Sequence, residues 1–388
     1  MKEIQAIIAA FEQTQQPEKI ALATVIEVSG STYRRPGAKM LMTETGTRIG
    51  SISGGCLEED VFEQAQAVMA SGKPTIIQYD TTSPDDIIWG LGLGCNGLVR
   101  VFIELLTPQL NPISFIAECW RQRQIGVIAT VVNSDTEIGR YLMLQQDGKV
   151  ISDLNLIVEK VLDDAHIALT NGQSLLKLYQ LPQGQAQIFI EVIQPPLPLV
   201  IFGAGHDAQP LVELAKALAW QVTVVDSRPA YAKRERFLAA DDIIISHPEQ
   251  VSEKVCLNSG TVAVVMTHNY LHDQEILRTL LPSAVSYIGL LGPKSRTQQL
   301  LSELEEEGIN PTYQQRQRLY GPVGLDIGAD TPEEIALAII AEIKAVLADR
   351  GAGFLRNRTQ PIHQPVAQRS PRDATNTSSL SLSKKGAK

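Results

Sequence analysis

The segment from 199 to 226 constrains the fold most strongly. Leu199 to Phe202 is an apolar strand, Gly203-Ala204-Gly205 a tight turn, Asp207 to Ala219 a helix, and Val222 to Asp226 a second strand. A strand, helix and strand of this length predict two parallel strands joined by a crossover. Further apolar strands at 242–245, 262–266 and 285–290 alternate with helical segments, which predicts a doubly wound parallel sheet. Thr331-Pro332-Glu333-Glu334 starts the last helix, with an N-cap, proline in the first turn and acids facing the helix dipole.

Pro195-Pro196-Leu197-Pro198 separates this region from what precedes it, because consecutive prolines continue neither a ladder nor a helix. Upstream, residues 3–15 predict a helix with Ile4, Ile7, Ile8 and Phe11 on one face, followed by strands at 19–28 and Lys39 to Thr43. A helix is expected from Cys56 to about Met69 and a strand from Leu98 to Leu105. A helix after 112, a strand from Gly126 to Val132, a hairpin near 138–152, another helix and a strand from Gln187 to Val192 complete the domain. The expected fold is α/β, an N-terminal mixed α/β domain (1–194), a linker (195–198) and a C-terminal Rossmann-like doubly wound parallel sheet (199–356). Residues 357–388, rich in Ser, Thr, Pro and Gln, are expected to form a disordered tail.

The length of 388 residues suits two domains better than one core. With 43 acidic against 34 basic residues, a net charge of -9 argues against nucleic-acid binding, which needs a concentrated positive face. No apolar run approaches the roughly 18 residues of a membrane span, and the start has no cleavable leader pattern, so the cytoplasm is expected. Four cysteines without CxxC spacing, Cys56, Cys95, Cys119 and Cys256, suit free thiols in a reducing compartment.

Several loops hold residue types suited to ligands. In the turn 203–208, Gly203 permits the bend, Gly205 allows close backbone approach to a phosphate, and the helix start faces the anion. His206 is placed to touch such a ligand, and Asp226 to bond a ribose hydroxyl, with Arg228 just beyond. The alternative is a Rossmann sheet that keeps the turn without binding a dinucleotide. Cys56 follows Gly54-Gly55 at a helix start, and Cys95 follows Gly94 in a second glycine-rich loop. Both positions suit sulfur handling or a soft metal ligand, or a small side chain filling a tight turn. Cys95 is the first candidate for metal contact and catalysis, with Cys56 second. Arg34, Arg35 and Lys39 form either a phosphate clamp or a solvated charge cluster. His268, Asn269, His272 and Asp273 follow a strand at the carboxyl edge of the sheet, where a polar ligand contact, a metal site or helix capping are the alternatives.

Taken in order, Gly30 to Met40, Gly50 to Glu58 and Gly94-Cys95-Asn96-Gly97 resemble the XdhC/CoxI family. Gly203 to Ala208, Tyr287 to Gly292 with Arg296, and Gly324 to Glu334 resemble that family's Rossmann domain. Together they span about residues 10 to 350. Thr267-His268-Asn269-Tyr270 departs from the Thr-His-Asp-His expected there, and 107–195 shows no family motif.

The resemblance implies an accessory protein, a cofactor-maturation chaperone more than a stand-alone enzyme. It would bind the molybdenum cofactor (molybdopterin) while a cysteine desulfurase supplies sulfur. It would then deliver the cofactor to a molybdenum hydroxylase client of the xanthine or CO dehydrogenase type, and act as a homodimer. The expected cofactor contacts are Arg34, Arg35, Lys39, Gly54, Gly55, Gly94, Gly203, Gly205, His206, Asp226 and His268. An adenine or nicotinamide nucleotide at the Rossmann turn is a further expectation. The rivals are an NAD(P)-dependent oxidoreductase, for which no convincing acid and base pair is present, and a nucleotide-sensing module with inert cysteines.

Overall fold

The computed structural model describes residues 1–13, 18–30, 32–80, 97–107, 110–155, 157–182, 184–359 and 362. Most of the tail expected at 357–388 lies outside these residues. Helix α1 (Lys2–Gln13) leads into strands β1 (Ile20–Gly30), β2 (Lys39–Thr43) and β3 (Arg48–Gly50), then α2 (Glu58–Ser71), β4 (Thr75–Asp80) and β5 (Gly97–Leu105). The five strands form an antiparallel sheet in the order β3-β2-β1-β5-β4.

The next stretch repeats this plan. Helix α3 (Pro112–Arg121), strands β6 (Gly126–Asn133), β7 (Tyr141–Gln145) and β8 (Val150–Ser152), helix α4 (Val158–Asn171), and strands β9 (Leu175–Leu181) and β10 (Gly184–Ile193) follow in turn. Their sheet has the order β8-β7-β6-β10-β9, which is the first order element for element. The turn chemistry is duplicated as well. Gly37 and Gly139, at φ +92° and +83°, donate back to Val25 O at 2.8 Å and Val131 O at 2.9 Å. Gly72 and Gly172 end α2 and α4 in the left-handed region that favours glycine. The N-terminal region is thus two copies of one supersecondary unit.

Strand alternation sets the layers. Ala21, Ala23 and Val25 face α2, and Val127, Ala129 and Val131 face α4. Leu22, Ile26 and Phe102 of the first sheet meet Ile128, Val132 and Phe189 of the second. Four polar side chains also lie between the sheets at equivalent positions. Lys39 is opposite Thr24 as Tyr141 is opposite Thr130, and Glu104 is opposite Leu22 as Glu191 is opposite Ile128. Each basic or hydroxyl group crosses to the acid of the other copy. Lys39 Nζ donates to Glu191 Oε2 at 2.6 Å and Oε1 at 2.7 Å, and the Tyr141 hydroxyl donates to Glu104. Burial of charge demands such pairing. Burial also pushes Glu104 up to about 7; the Tyr141 hydroxyl and Lys39 oppose that rise, and Glu191 adds to it.

The C-terminal region is an open parallel sheet. Strands β11 (Pro198–Phe202), β12 (Gln221–Asp226), β13 (Asp242–Ile245), β14 (Val262–Val265), β15 (Tyr287–Leu290) and β16 (Leu319–Tyr320) lie in the order β13-β12-β11-β14-β15-β16. All five pairings are parallel. Helices α5 (Ala208–Ala217), α6 (Val251–Lys254), α7 (Tyr270–Leu280), α8 (Lys294–Glu306), α9 (Tyr313–Gln317) and α10 (Pro332–Leu347) connect and close it. Leu211, Val212 and Ala215 of α5 pack with Ile339 and Ile343 of α10 on one face, and Leu277 of α7 with Leu300 and Leu304 of α8 on the other. This is the predicted Rossmann arrangement, and α10 starts with the Thr331 and Glu334 capping box that the sequence predicts. Among the described residues no helix is long and apolar enough to cross a membrane.

Candidate functional site

The strand order reverses between β11 and β14, and ligands of open α/β sheets bind at the carboxyl end of such a switch point. A cleft of about 450 Å³ opens there, lined by His206, Asp207, Arg228, Tyr231, His268 and Ile335 among others. A smaller cavity of about 60 Å³ adjoins it, with Asp226, Arg228, Ser246, Thr267 and His272 in its wall. Gly203 makes the turn possible. At φ +120°, a Cβ there would lie 2.3 Å from the Met266 carbonyl oxygen, so the turn packs directly on the end of β14.

His268 is held at φ +57°, an uncommon conformation outside glycine, with its Nε2 2.7 Å from Asp207 Oδ2. Asp207 therefore serves His268 and makes no side-chain cap bond to α5. The other polar groups of this loop have structural partners. Asp273 is buried and accepts from Thr267 Oγ1 and from Arg296 Nη2 at 2.6 Å, and Asn269 caps α7 through the His272 amide. Of the alternatives open for this loop, capping is what Asn269 does. Among the described residues no group of three or more His, Cys, Asp or Glu side chains is arranged to hold a metal ion.

Asp226, expected at a ribose, accepts Ala204 N at 2.7 Å and Arg228 N, Nε and Nη2 at 2.8, 2.9 and 2.8 Å. Burial raises its pKa, but the Arg228 side chain and the two amides outweigh that and hold the carboxyl below its ordinary range. The sequence reading missed Tyr231, whose ring is contacted by the guanidinium groups of Arg228 at 4.1 Å and Arg236 at 5.1 Å. An arginine three residues before a tyrosine, just past a Rossmann strand, was the available signal.

A second group of candidates collects at one end of the first sheet, where Gly30 pairs with Gly97. The Tyr33 ring covers Gly54, 3.6 Å from where a Cβ would stand, and Arg34 Nε donates to Ser51 O at 3.2 Å. The three cations of this segment do not act together. Arg34 is paired with Glu3, and Lys39 is buried on Glu191. Lys39 turns inward because all of β2 is buried and Glu191 needs a counter-charge. Arg35 is different: its Nε is buried with no hydrogen-bond partner among the described residues, and burial pulls the guanidinium below its ordinary pKa. Its place in the second copy is taken by Glu137, since Ala38 N donates to Arg35 O as Arg140 N does to Glu137 O. Glu137 satisfies itself on the Asn155 amide at 2.9 Å. The first copy therefore leaves a cation where the second has a closed bond.

Cys56 is exposed, and the backbone amides of its turn are directed to Ser53. Gly55, Cys56 and Leu57 each donate to Ser53 Oγ at 3.2 Å, and Ser53 Oγ bonds Glu58. This arrangement also delays α2 to Glu58, two residues later than predicted. Gly94 and Cys95 lie outside the described residues, within 81–96, the connection from β4 to β5. In the second copy residues 182–183 suffice for the same connection. Cys119 is buried and its thiol is pushed up to about 12, chiefly by burial, whereas Cys256 is exposed and accepts from Asn258 at 3.5 Å.

A switch-point cleft beside a glycine turn, carried on a doubly wound parallel sheet that follows two antiparallel sheets in the chain, defines a protein of the Rossmann class. Residues 199–343 match the XdhC Rossmann domain, and residues 13–80 match the XdhC and CoxI family. The chain is 37% identical over 332 residues to a probable xanthine dehydrogenase subunit of Bacillus subtilis (strain 168), covering 85% of this chain and 93% of that protein. It is 21% identical over 338 residues to the molybdenum cofactor insertion chaperone PaoD of Escherichia coli (strain K12), covering 87% and 86% of the two. The crystal structure of a xanthine dehydrogenase from Bacillus halodurans superposes with a TM-score of 0.75 at 31% identity, over 91% of this chain and 97% of that one. The chain belongs to the XdhC and CoxI family.

Proposed function

We propose that this protein is an accessory factor that binds the molybdenum cofactor and hands it to a hydroxylase of the xanthine or CO dehydrogenase type, supporting its sulfuration on the way. The observation that carries this is the half-buried Arg35, whose Nε has no hydrogen-bond partner among the described residues, on a loop whose Tyr33 covers Gly54, two residues before the exposed Cys56. A guanidinium with no ion pair among the described residues favours an anionic ligand, and an exposed thiol on the adjoining loop suits a thiophilic metal. The fit is to the cofactor as cargo: the cation and the thiol address its anionic, thiophilic metal end, and its terminal phosphate is left to other groups. The name of the PaoD relative, a molybdenum cofactor insertion chaperone, supports the same reading.

Arg35 takes the anionic part, Cys95 and then Cys56 are the thiols that contact the metal or carry sulfur, and Gly54 and Gly55 admit the ligand to the backbone. The hydroxylase client and a cysteine desulfurase are its partners, and it works as a homodimer in the cytoplasm. The test is activation of a purified apo-hydroxylase. Wild type should activate it, while Arg35→Ala and the Cys56→Ser, Cys95→Ser double variant, folded as judged by circular dichroism, should fail. Full activation by both would refute this assignment.

A further inference from the structure

The cleft at the Rossmann turn has lost two features that hold a dinucleotide. One is the ribose acid. A carboxylate offers about four lone-pair positions, and those of Asp226 are occupied by Ala204 N, Arg228 N, Arg228 Nε and Arg228 Nη2. A ribose hydroxyl would have to displace part of a fork-shaped ion pair. The other is the space above the second glycine, where a pyrophosphate approaches the backbone. A Cβ on Gly205 would stand 2.3 Å from Asp207 Oδ1, so a carboxylate covers that space, and His268 anchors its other oxygen. An anionic diphosphate meets an anion there.

What the end of β12 offers is Arg228 itself. Its Nε and one Nη2 hydrogen serve Asp226, its face lies 4.1 Å from the Tyr231 centroid, and its Nη1 has no acceptor among the described residues. The side chain is 45% exposed and borders both the cleft and the smaller cavity. An arginine fixed on one edge and one face, with its outer donors free, is preorganised for the oxygens of a terminal phosphate.

We infer that Arg228 seats a phosphate monoester, so that the cleft selects a ligand ending in a phosphate dianion and rejects an NAD-type dinucleotide. Asp226 is the positioning residue that holds the guanidinium in place. This deepens the proposed function, because a molybdopterin tail carries such a phosphate; a sugar 2′-phosphate offers the same chemistry.

Titration calorimetry on the full chain separates the two sources. One arm compares adenosine 2′,5′-bisphosphate with adenosine 5′-monophosphate and NAD⁺; the other compares molybdopterin, released anaerobically, with the same sample after phosphatase treatment. In at least one arm the monoester should bind about tenfold tighter or more, the loss expected for a charge-assisted contact. Arg228→Gln should abolish that preference and Arg228→Lys retain part of it. The wild-type comparison within each arm stands even if Arg228→Gln folds poorly. Equal binding with and without the monoester in both arms, no binding in either, or tighter binding of NAD⁺ overturns the inference. If molybdopterin binds regardless of its phosphate and the bisphosphate shows no preference, the proposed function survives and this inference falls; if only the bisphosphate binds in an Arg228-dependent way, the reverse holds.

Discussion

Replacing Glu104 by glutamine should remove a pH dependence that the paired sheets impose on stability. Glu104 is 5% exposed and its carboxyl is pushed up to about 7 from an ordinary 4.5, first by burial, with Tyr141 and Lys39 opposing and Glu191 reinforcing. Between those values the unfolded chain has lost this proton while the folded chain keeps it. Folding therefore takes up a proton, and stability present in full below 4.5 is lost as pH rises to about 7. At about 1.4 kcal/mol per pH unit the whole effect is about 3 kcal/mol, of which about 2 kcal/mol falls between pH 5.5 and pH 8. Glutamine keeps an acceptor for the Tyr141 hydroxyl and does not titrate. Urea unfolding at pH 5.5 and 8, followed by the combined fluorescence of Trp89, Trp120 and Trp220, should show the wild type losing about 2 kcal/mol more than Glu104→Gln over that interval. Parallel pH profiles for the two proteins would refute the reasoning.

The other buried pair makes a different prediction. Lys39→Ala strands the Glu191 carboxylate and should cost about 3–5 kcal/mol, while Lys39→Met with Glu191→Leu should be close to neutral, both read as urea midpoints. Gly126→Ala places a Cβ 2.5 Å from Cys119 Sγ and 2.8 Å from the Phe115 ring. It should lower the melting temperature, and adding Cys119→Ala should restore part of the loss; no recovery would mean that the clash lies elsewhere. Arg35→Ala removes a cation that pairs with no carboxylate among the described residues, so its urea midpoint should not fall, whereas its affinity for molybdopterin should. A large loss of stability would show Arg35 to be structural.

The Rossmann half was legible because its signals are local. Leu199 to Asp226 contains the strand, turn, helix and acid in consecutive residues, and Thr331 with Glu334 announces the last helix. The antiparallel half was legible as elements but not as a duplication, since the copies share topology, Gly37 with Gly139 and Gly72 with Gly172, while most facing side chains differ. The site was legible in part. Lys39 was placed at the start of its strand, but, grouped with Arg34 and Arg35 as a cation for a ligand, it turns inward instead, because its partner Glu191 lies far along the chain. Single charges inside apolar runs, Lys39 before Met40-Leu41-Met42 and Glu191 after Ile188-Phe189-Ile190, were the clue that each needs a buried partner. Asp226 was placed correctly at its strand end, but its occupation by Arg228 depends on side-chain geometry that no local pattern encodes.

The central claim, that this chain carries the molybdenum cofactor, is tested most directly by its content when purified from cells that make the cofactor. Elemental analysis together with fluorescence of the oxidised pterin should find molybdenum and pterin in equal amounts on wild type, and both sharply reduced on Arg35→Ala. Wild-type protein with neither molybdenum nor pterin, and unable to take up cofactor added anaerobically, would contradict the account.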